Sequence, residues 1–338
     1  MQKVCNNSVM NNQTIDMHCD TLMKAYFEEK KDIFECPSFD LDIKRMVDSG
    51  MVAQFFAIFI PSKEIYKHSN KEYISDDEYI EKCIFIFNNT VNKHQDVVGQ
   101  ARCAKDILNN VSSHKVSAFL SMEDGVAVQG DMNKLDYFFK QGVRALSLTW
   151  NYENCFGYPN SKDAEIMNKG LKDFGKEAVK HMQDIGMLVD VSHLNDGGFE
   201  DVYKLSKVPF VATHSNARAL CNHTRNMTDD MIRKLHEKGG VMGINICPDF
   251  LDDTPGNKKS SLSDLCDMIE HEKEIAGIEV CAVGTDIDGT HGEFEVCGPT
   301  QMTKVYDELI RRGFTTKEID MISHENVLRV LNEAVKGE

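Results

Sequence analysis

Six imidazole and carboxylate side chains in this sequence each lie at or just beyond the end of a short apolar run. They are His18, Asp20, Glu123, His193, His214 and Asp286. Imidazole and carboxylate groups are the ligands that zinc and similar divalent ions prefer. If the fold gathers the ends of these runs, the six side chains share one pocket. The pattern therefore predicts a site for divalent metal ions.

The spacing of the first pair suits an ion held from a single strand. Residues i and i+2 of an extended strand point to the same side, so His18 and Asp20 face one way and Cys19 the other. A His-x-Asp pair at a strand end can thus supply two ligands to one ion.

The remaining four side chains can complete a centre of two ions. Glu123 has two carboxylate oxygens and can bridge both ions. His193 and His214 can then complete the set of ligands around the second ion. Two ions about 3.5–4 Å apart that share a hydroxide form a hydrolytic centre. Asp286 is then left to move the proton.

Each side chain also has a purely structural interpretation. A single histidine after a strand is commonly a hydrogen-bonded structural group. Glu123 can be a carboxylate favoured by a helix N-terminus, and residues 284–289 (GTDIDG) can form a capped turn. Six such residues at predicted strand ends favour the metal site over these alternatives.

The elements that must position these residues are eight short apolar or β-branched runs. Their near-continuous apolarity is typical of parallel strands covered on both faces. The runs are the segment ending at residues 15–18, and residues 51–60, 116–122, 143–150, 187–192, 209–213, 240–247 and 279–285.

Amphipathic stretches with helical spacing connect the runs. Examples are residues 76–89, 132–141, 168–185, 229–238, 261–276 and 300–311, several of which follow a plausible N-cap, namely Ser75, Thr228 or Ser261. Eight such alternations predict an α/β fold of the (β/α)₈ TIM-barrel type, with an open doubly wound sheet as the alternative. In a barrel the C-terminal strand ends converge on one face, where the six side chains would meet.

Length and composition favour one domain in a reducing compartment. The 338 residues contain no linker or repeat, so residues 13–338 are expected to form a single domain after an Asn-rich tail, residues 1–12. Eleven cysteines without a CxxC pair indicate free thiols and a cytoplasmic location. We see neither a signal peptide nor an apolar run long enough for a membrane anchor.

Charge and missing motifs exclude other function classes. Lys and Arg number 38 against 54 Asp and Glu, a net charge of −16 that disfavours nucleic-acid binding. The sequence has no P-loop, GxGxxG turn, GxSxG elbow or HExxH helix, which argues against nucleotide, serine-hydrolase and zincin chemistry.

Seven motifs in order carry a resemblance to a known family. They are residues 16–21 (DMHCDT), 122–125 (MEDG), 146–149 (LSLT), 189–193 (VDVSH), 213–215 (THS), 224–226 (TRN) and 284–289 (GTDIDG). With these, residues 15–335 resemble the membrane dipeptidase (renal dipeptidase) family of metallopeptidases, a branch of the metal-dependent, amidohydrolase-like hydrolase barrels.

The resemblance implies a role for each motif. His18 and Asp20 would bind one of two Zn²⁺ or other divalent ions, Glu123 would bridge both, and His193 and His214 would bind the other. Asp286 rather than Asp288 would be the general acid/base that serves attack by a metal-bridging hydroxide.

Substrate recognition is implied in the same way. Arg225 would hold the α-carboxylate of a dipeptide, a task for which its planar fork is suited, with Arg218 as a rival. Because this contact does not involve the side chain of the second residue, the resemblance implies tolerance of a D-residue at the second position of the dipeptide. Trp150 stands where the animal enzymes have a histidine that contacts substrate, and Asn151 is a candidate to replace that contact.

The expected function is thus that of a binuclear zinc dipeptidase. Two alternatives remain: a hydrolase of the same fold acting on N-acyl-amino acids or lactams, and a non-catalytic metal-binding barrel. The oligomeric state is also open, with a homodimer among the alternatives.

Overall fold

Eight parallel strands close into a barrel within residues 13–337, the part of the chain that the computed structural model describes. We number them β1 to β8 in chain order: Ile15–Cys19, Ala53–Phe59, Val116–Glu123, Val143–Ser147, Leu188–Asp190, Val211–Ala212, Val241–Ile244 and Cys281–Val283. Each strand pairs with the next, and β1 pairs with β8 through Asp16 and Val283. The predicted barrel is confirmed, and every predicted run contains one strand. The predicted tail, residues 1–12, lies outside the described residues.

Helices cover the barrel and follow most of its strands. The α-helices are Thr21–Phe27, Ile43–Ser49, Lys63–His68, Asp76–Lys93, Ala104–Ser112, Met132–Lys140, Ala164–Met167, Asp173–Ile185, Asp196–Leu205, Asp229–Glu237, Pro248–Leu251, Leu262–Ala276, Thr303–Arg311, Thr316–Asp320 and Asn326–Ala334. Shorter 3₁₀ turns span Gly125–Val128, Ile278–Val280 and Pro299–Gln301, and a π-helical segment spans Met321–Glu325. The predicted N-caps Ser75, Thr228 and Ser261 are confirmed, since each accepts a hydrogen bond from the backbone N–H three residues on.

Three short strands were not predicted. Val98–Ala101 pairs with the first half of β3, and Lys259–Ser260 pairs with Glu293–Phe294 in a separate two-stranded sheet. None of these segments contains the apolar run by which the barrel strands are recognised, so their pairing depends on neighbours rather than on their own pattern.

The inner face of the barrel is filled with apolar side chains and closed at its N-terminal end. The first residues of most strands form one buried cluster with the C-terminal helix Asn326–Ala334. Within it the rings of Phe55 and Phe119 stack with centroids 4.1 Å apart. The C-terminal end of the barrel is therefore where polar groups can be presented to a ligand.

Two features of the fold concern ionisable groups. All ten cysteines of residues 13–337 are free thiols, as predicted. Glu272 of helix Leu262–Ala276 is fully buried beside Cys281, and burial raises the pKa of its carboxyl well above the usual range.

None of the helices within residues 13–337 combines the length and apolarity that a membrane crossing requires.

Candidate metal centre

The barrel brings all six predicted side chains together at its C-terminal mouth. They follow five different strands (β1, β3, β5, β6 and β8), and their side chains are at most 14% exposed. Glu123 lies at the centre. Its Oε2 is 3.2 Å from His18 Nε2, while its Oε1 is 2.9 Å from His193 Nε2 and 3.6 Å from His214 Nε2.

The two carboxylate oxygens of Glu123 thus face two separate groups of ligands. On one side His18 Nε2 is 3.6 Å from Asp20 Oδ2 and 3.8 Å from Asp286 Oδ1. On the other side the Nε2 atoms of the second histidine pair are 3.1 Å apart. A carboxylate between two such groups is placed as a bridging ligand would be.

The chemistry of this donor set fits divalent cations. Three carboxylates surround His18, yet its buried Nε2 and the buried Oδ1 of Asp20 have no hydrogen-bond partner. Buried charges of one sign normally require a counter-ion or a bound metal. The donor atoms of His18, Asp20 and Asp286 lie within 4.8 Å of one another, as do those of His18, Glu123 and His214.

Burial and mutual charge set the protonation of the ligands. Burial lowers the pKa of His193 to about 4 and that of His214 well below its usual range, so both are neutral at pH 7 and able to bind a metal. Against the effect of burial, His18 lowers the pKa of Glu123 and Glu123 raises that of His18. Burial raises the pKa of Asp286 to about 7, with the neighbouring carboxylates acting in the same direction.

Two buried aspartates fix the strand ends that carry the site. Asp16 accepts hydrogen bonds from the backbone N–H and hydroxyl of Thr285, at 2.9 and 2.5 Å. Asp190 accepts the same pair from Thr213, at 2.9 and 2.6 Å. The Thr213 hydroxyl in turn accepts from Nδ1 of His214, which leaves Nε2 of that ring free to bind a metal.

Local irregularities aim three of the side chains. The pairing of β1 with β2 shifts register between Asp16 and Cys19, so that Met17 joins the inner cluster while His18 enters the mouth. His193 and Asp286 adopt left-handed backbone conformations, with φ of 68° and 65°. Such strain in non-glycine residues is retained where surrounding structure determines it, often at functional sites.

The two aspartates of the GTDIDG motif have different surroundings. Asp286 lies in the cluster, where its Oδ2 accepts a hydrogen bond from Asn245 Nδ2 at 3.0 Å. Asp288 accepts from Thr21 Oγ1, Lys24 Nζ and the backbone N–H of residue 40. The structure therefore places Asp286, and not Asp288, beside the five predicted metal ligands.

The predicted substrate residues are not all at the cavity surface. Trp150 and Asn151 line a cavity of about 330 Å³ above the cluster. Asn151 Oδ1 also accepts a hydrogen bond from Nδ1 of His193 at 3.2 Å, a contact the sequence did not predict.

Arg225 is not among the residues that line that cavity. It is 5% exposed, and it donates to Ser215 Oγ and to the backbone carbonyl of His214 while its Nε has no partner. Its guanidinium carbon is 5.6 Å from the ring of Phe250, which lines the cavity. The rival Arg218 is occupied by a bidentate ion pair with Asp196.

Several lining residues were missed by the sequence interpretation. They are Met23, Phe59, Ile65 and Phe250, which carry no polar signal, and Cys247. Among these residues, only Phe59 could have been predicted from the sequence to line the cavity, because it is the last residue of β2 and the ligands also lie at strand ends. A larger cavity of about 740 Å³, between residues 161–168 and 249–257, is lined by none of the six side chains of the cluster.

Comparison with known proteins points to one family. A family model for membrane dipeptidase (peptidase family M19) matches residues 3–337. An uncharacterised dipeptidase of Schizosaccharomyces pombe is 29% identical over 86% of this chain and 71% of its own length. The dipeptidase aclJ of Aspergillus oryzae is 27% identical over 87% and 69%. A metallopeptidase from Rhodobacter sphaeroides, crystallised with a phosphinate mimic of L-Ala-D-Ala, shares the fold with a TM-score of 0.84 at 23% identity, covering 95% of this chain and 99% of that one.

Proposed function

Because the chain belongs to the membrane dipeptidase family of metallopeptidases, we propose that it hydrolyses the peptide bond of dipeptides at a centre of two divalent ions, with zinc as the expected metal. The observation that carries the proposal is the position of Glu123, whose two oxygens face His18 on one side and His193 with His214 on the other. When bound, a pair of ions would polarise the scissile carbonyl and acidify a water molecule.

The residues around the centre have distinct tasks in this proposal. His18, Asp20 and Glu123 would hold one ion, and Glu123, His193 and His214 the other. Asp286 would carry the proton to the leaving amine, because a pKa near 7 lets its carboxyl take up and release a proton at neutral pH. Asn245 orients that carboxyl by its hydrogen bond to Oδ2.

The substrate would be bound by its carboxylate rather than by its second side chain. Arg225 has a buried Nε without a partner, and a carboxylate beside the guanidinium would satisfy it. This mode of binding would accept a D-residue at the second position. The L-Ala-D-Ala mimic bound by the Rhodobacter sphaeroides protein supports that tolerance.

Turnover of a defined panel tests the proposal. Wild-type protein with added zinc should hydrolyse Ala-Gly and L-Ala-D-Ala but not N-acetyl-alanine, and Asp286→Asn should lose turnover while keeping its metal content. Hydrolysis of the N-acyl compound alone would favour the amidohydrolase alternative. Metal binding without any turnover, together with unchanged ligand affinity in Asp286→Asn, would favour the non-catalytic barrel.

The cellular setting is part of the same proposal. Ten free thiols support a reducing, cytoplasmic location. Fractionation of cells that produce the chain tests this.

A further inference from the structure

The cavity above the metal centre has two chemically different sides. Met23 follows β1, Phe59 ends β2, Ile65 lies on the helix after β2, and Trp150 follows β4. These four side chains, which we call the apolar wall, come from β2 and from the segments that follow β1, β2 and β4. The side formed after β7 and β8 carries mainly polar groups, and its one large apolar residue, Phe250, packs against Arg225.

The aromatic part of the apolar wall is fixed by packing. The rings of Trp150 and Phe59 meet edge to face with centroids 4.8 Å apart, and Phe59 is only 4% exposed. The ring of Tyr152 also lies beside that of Trp150, with centroids 5.8 Å apart. A preorganised apolar surface of this kind can cover a substrate side chain at little ordering cost.

The apolar wall offers no partner to a charged substrate side chain. The charged residues of the helix that carries Ile65 are directed elsewhere: Glu64 is 61% exposed, and Lys63 lies over the ring of Tyr73. The carboxylates beside the wall, Asp20 and Glu123, are metal ligands in the proposed centre. Burying a charged group here without a partner would cost more than the contact returns.

The order of the strands orients a dipeptide against this wall. In a closed barrel of eight strands, β6 lies across from β2, and Arg225 follows β6 whereas Phe59 and Ile65 belong to β2 and its helix. A dipeptide whose carboxylate reaches Arg225 and whose peptide bond lies over Glu123 would extend its first residue toward β2. We propose that the apolar wall selects dipeptides whose first residue has an apolar side chain. This inference rests on the proposed dipeptidase function.

The experiment measures kcat/KM for dipeptides X-Gly that differ only in the first residue. Leu-Gly and Met-Gly should exceed Lys-Gly and Asp-Gly by about 10- to 100-fold, the range expected from burying one apolar side chain. Ile65→Glu should favour the cationic substrate, raising the Lys-Gly to Leu-Gly ratio at least about 10-fold over that of wild type. Leu108→Glu, which makes the same change on an exposed helix away from the cavity, should leave the ratio as in wild type.

The outcomes separate this inference from the function on which it rests. Equal kcat/KM for Leu-Gly, Lys-Gly and Asp-Gly overturns the apolar wall as a selector and leaves the dipeptidase function standing. An unchanged ratio in Ile65→Glu, with zinc content and far-UV circular dichroism as in wild type, also overturns it. Failure of every dipeptide, with turnover of an N-acyl-amino acid, overturns both.

Discussion

Replacing Glu123 by glutamine tests the central role of this carboxylate. The side chain keeps its shape, but one oxygen becomes an amide nitrogen that cannot bind a cation. Because its oxygens contact His18 on one side and His193 and His214 on the other, each proposed ion loses affinity. We expect wild-type protein to contain two zinc ions per chain and Glu123→Gln no more than one.

The size of the effect follows from ligand linkage. An ion present at about 1,000 times its Kd stabilises the native state by about 4 kcal/mol. An unfolding entropy of about 2.1 cal/mol/K per residue amounts to about 0.7 kcal/mol/K for 338 residues, so each ion raises Tm by about 6 °C. Zinc should therefore raise the Tm of wild type by about 12 °C over protein in EDTA, and that of Glu123→Gln by less than about 6 °C.

Differential scanning calorimetry with and without zinc measures this difference, and elemental analysis gives the metal content. Glu64→Gln, at a 61% exposed position, is a control with the same change of charge. A zinc-dependent rise in Glu123→Gln equal to that of wild type, with two ions still bound, would falsify the bridging geometry.

Three further predictions concern single contacts. Gly289→Ala should weaken zinc binding at least about 10-fold in a chelator competition, because an added Cβ would lie 1.9 Å from Asp20 Oδ2. A zinc affinity equal to that of wild type would show that the Asp20 carboxylate can move aside. Asn151→Leu should lower zinc affinity about 10- to 100-fold, because it removes the hydrogen-bond acceptor for His193 Nδ1. Asn151→Asp, which keeps an acceptor, should leave zinc affinity unchanged. A change in KM without a change in zinc affinity would show that Asn151 contacts the substrate instead. Glu272→Gln should gain stability over wild type in urea unfolding as pH rises above the usual carboxyl pKa, because the raised native pKa makes the unfolded wild-type chain release a proton that the native chain retains; a pH-independent difference contradicts this.

The strands and the meeting of the ligands were predictable for one physical reason. A strand covered on both faces must be apolar along its length, so the polar residue that ends it stands out in the sequence. Barrel closure then brings such residues together however far apart they lie in the chain, as His18 and Asp286 do.

What could not be predicted depends on contacts between elements. Strict alternation along β1 does not show the register shift that turns His18 into the mouth. Nor does the sequence show that Asn151 contacts a metal ligand, or that Arg225 lies behind Phe250. The side chain of Ile65 reaches the cavity from a helix, where a half-buried isoleucine is ordinary.

The seam between β1 and β8 has a consequence for biosynthesis. Asp16 is made early in translation, yet its partner Thr285 and the neighbouring site residue Asp286 are made near the end. A nascent chain can hold the ligands of β3, β5 and β6, but it lacks the residues that close the ring. Hydrolytic competence on this geometry arrives only with the final sixth of the polypeptide, so a prematurely terminated product would be inert toward cellular peptides.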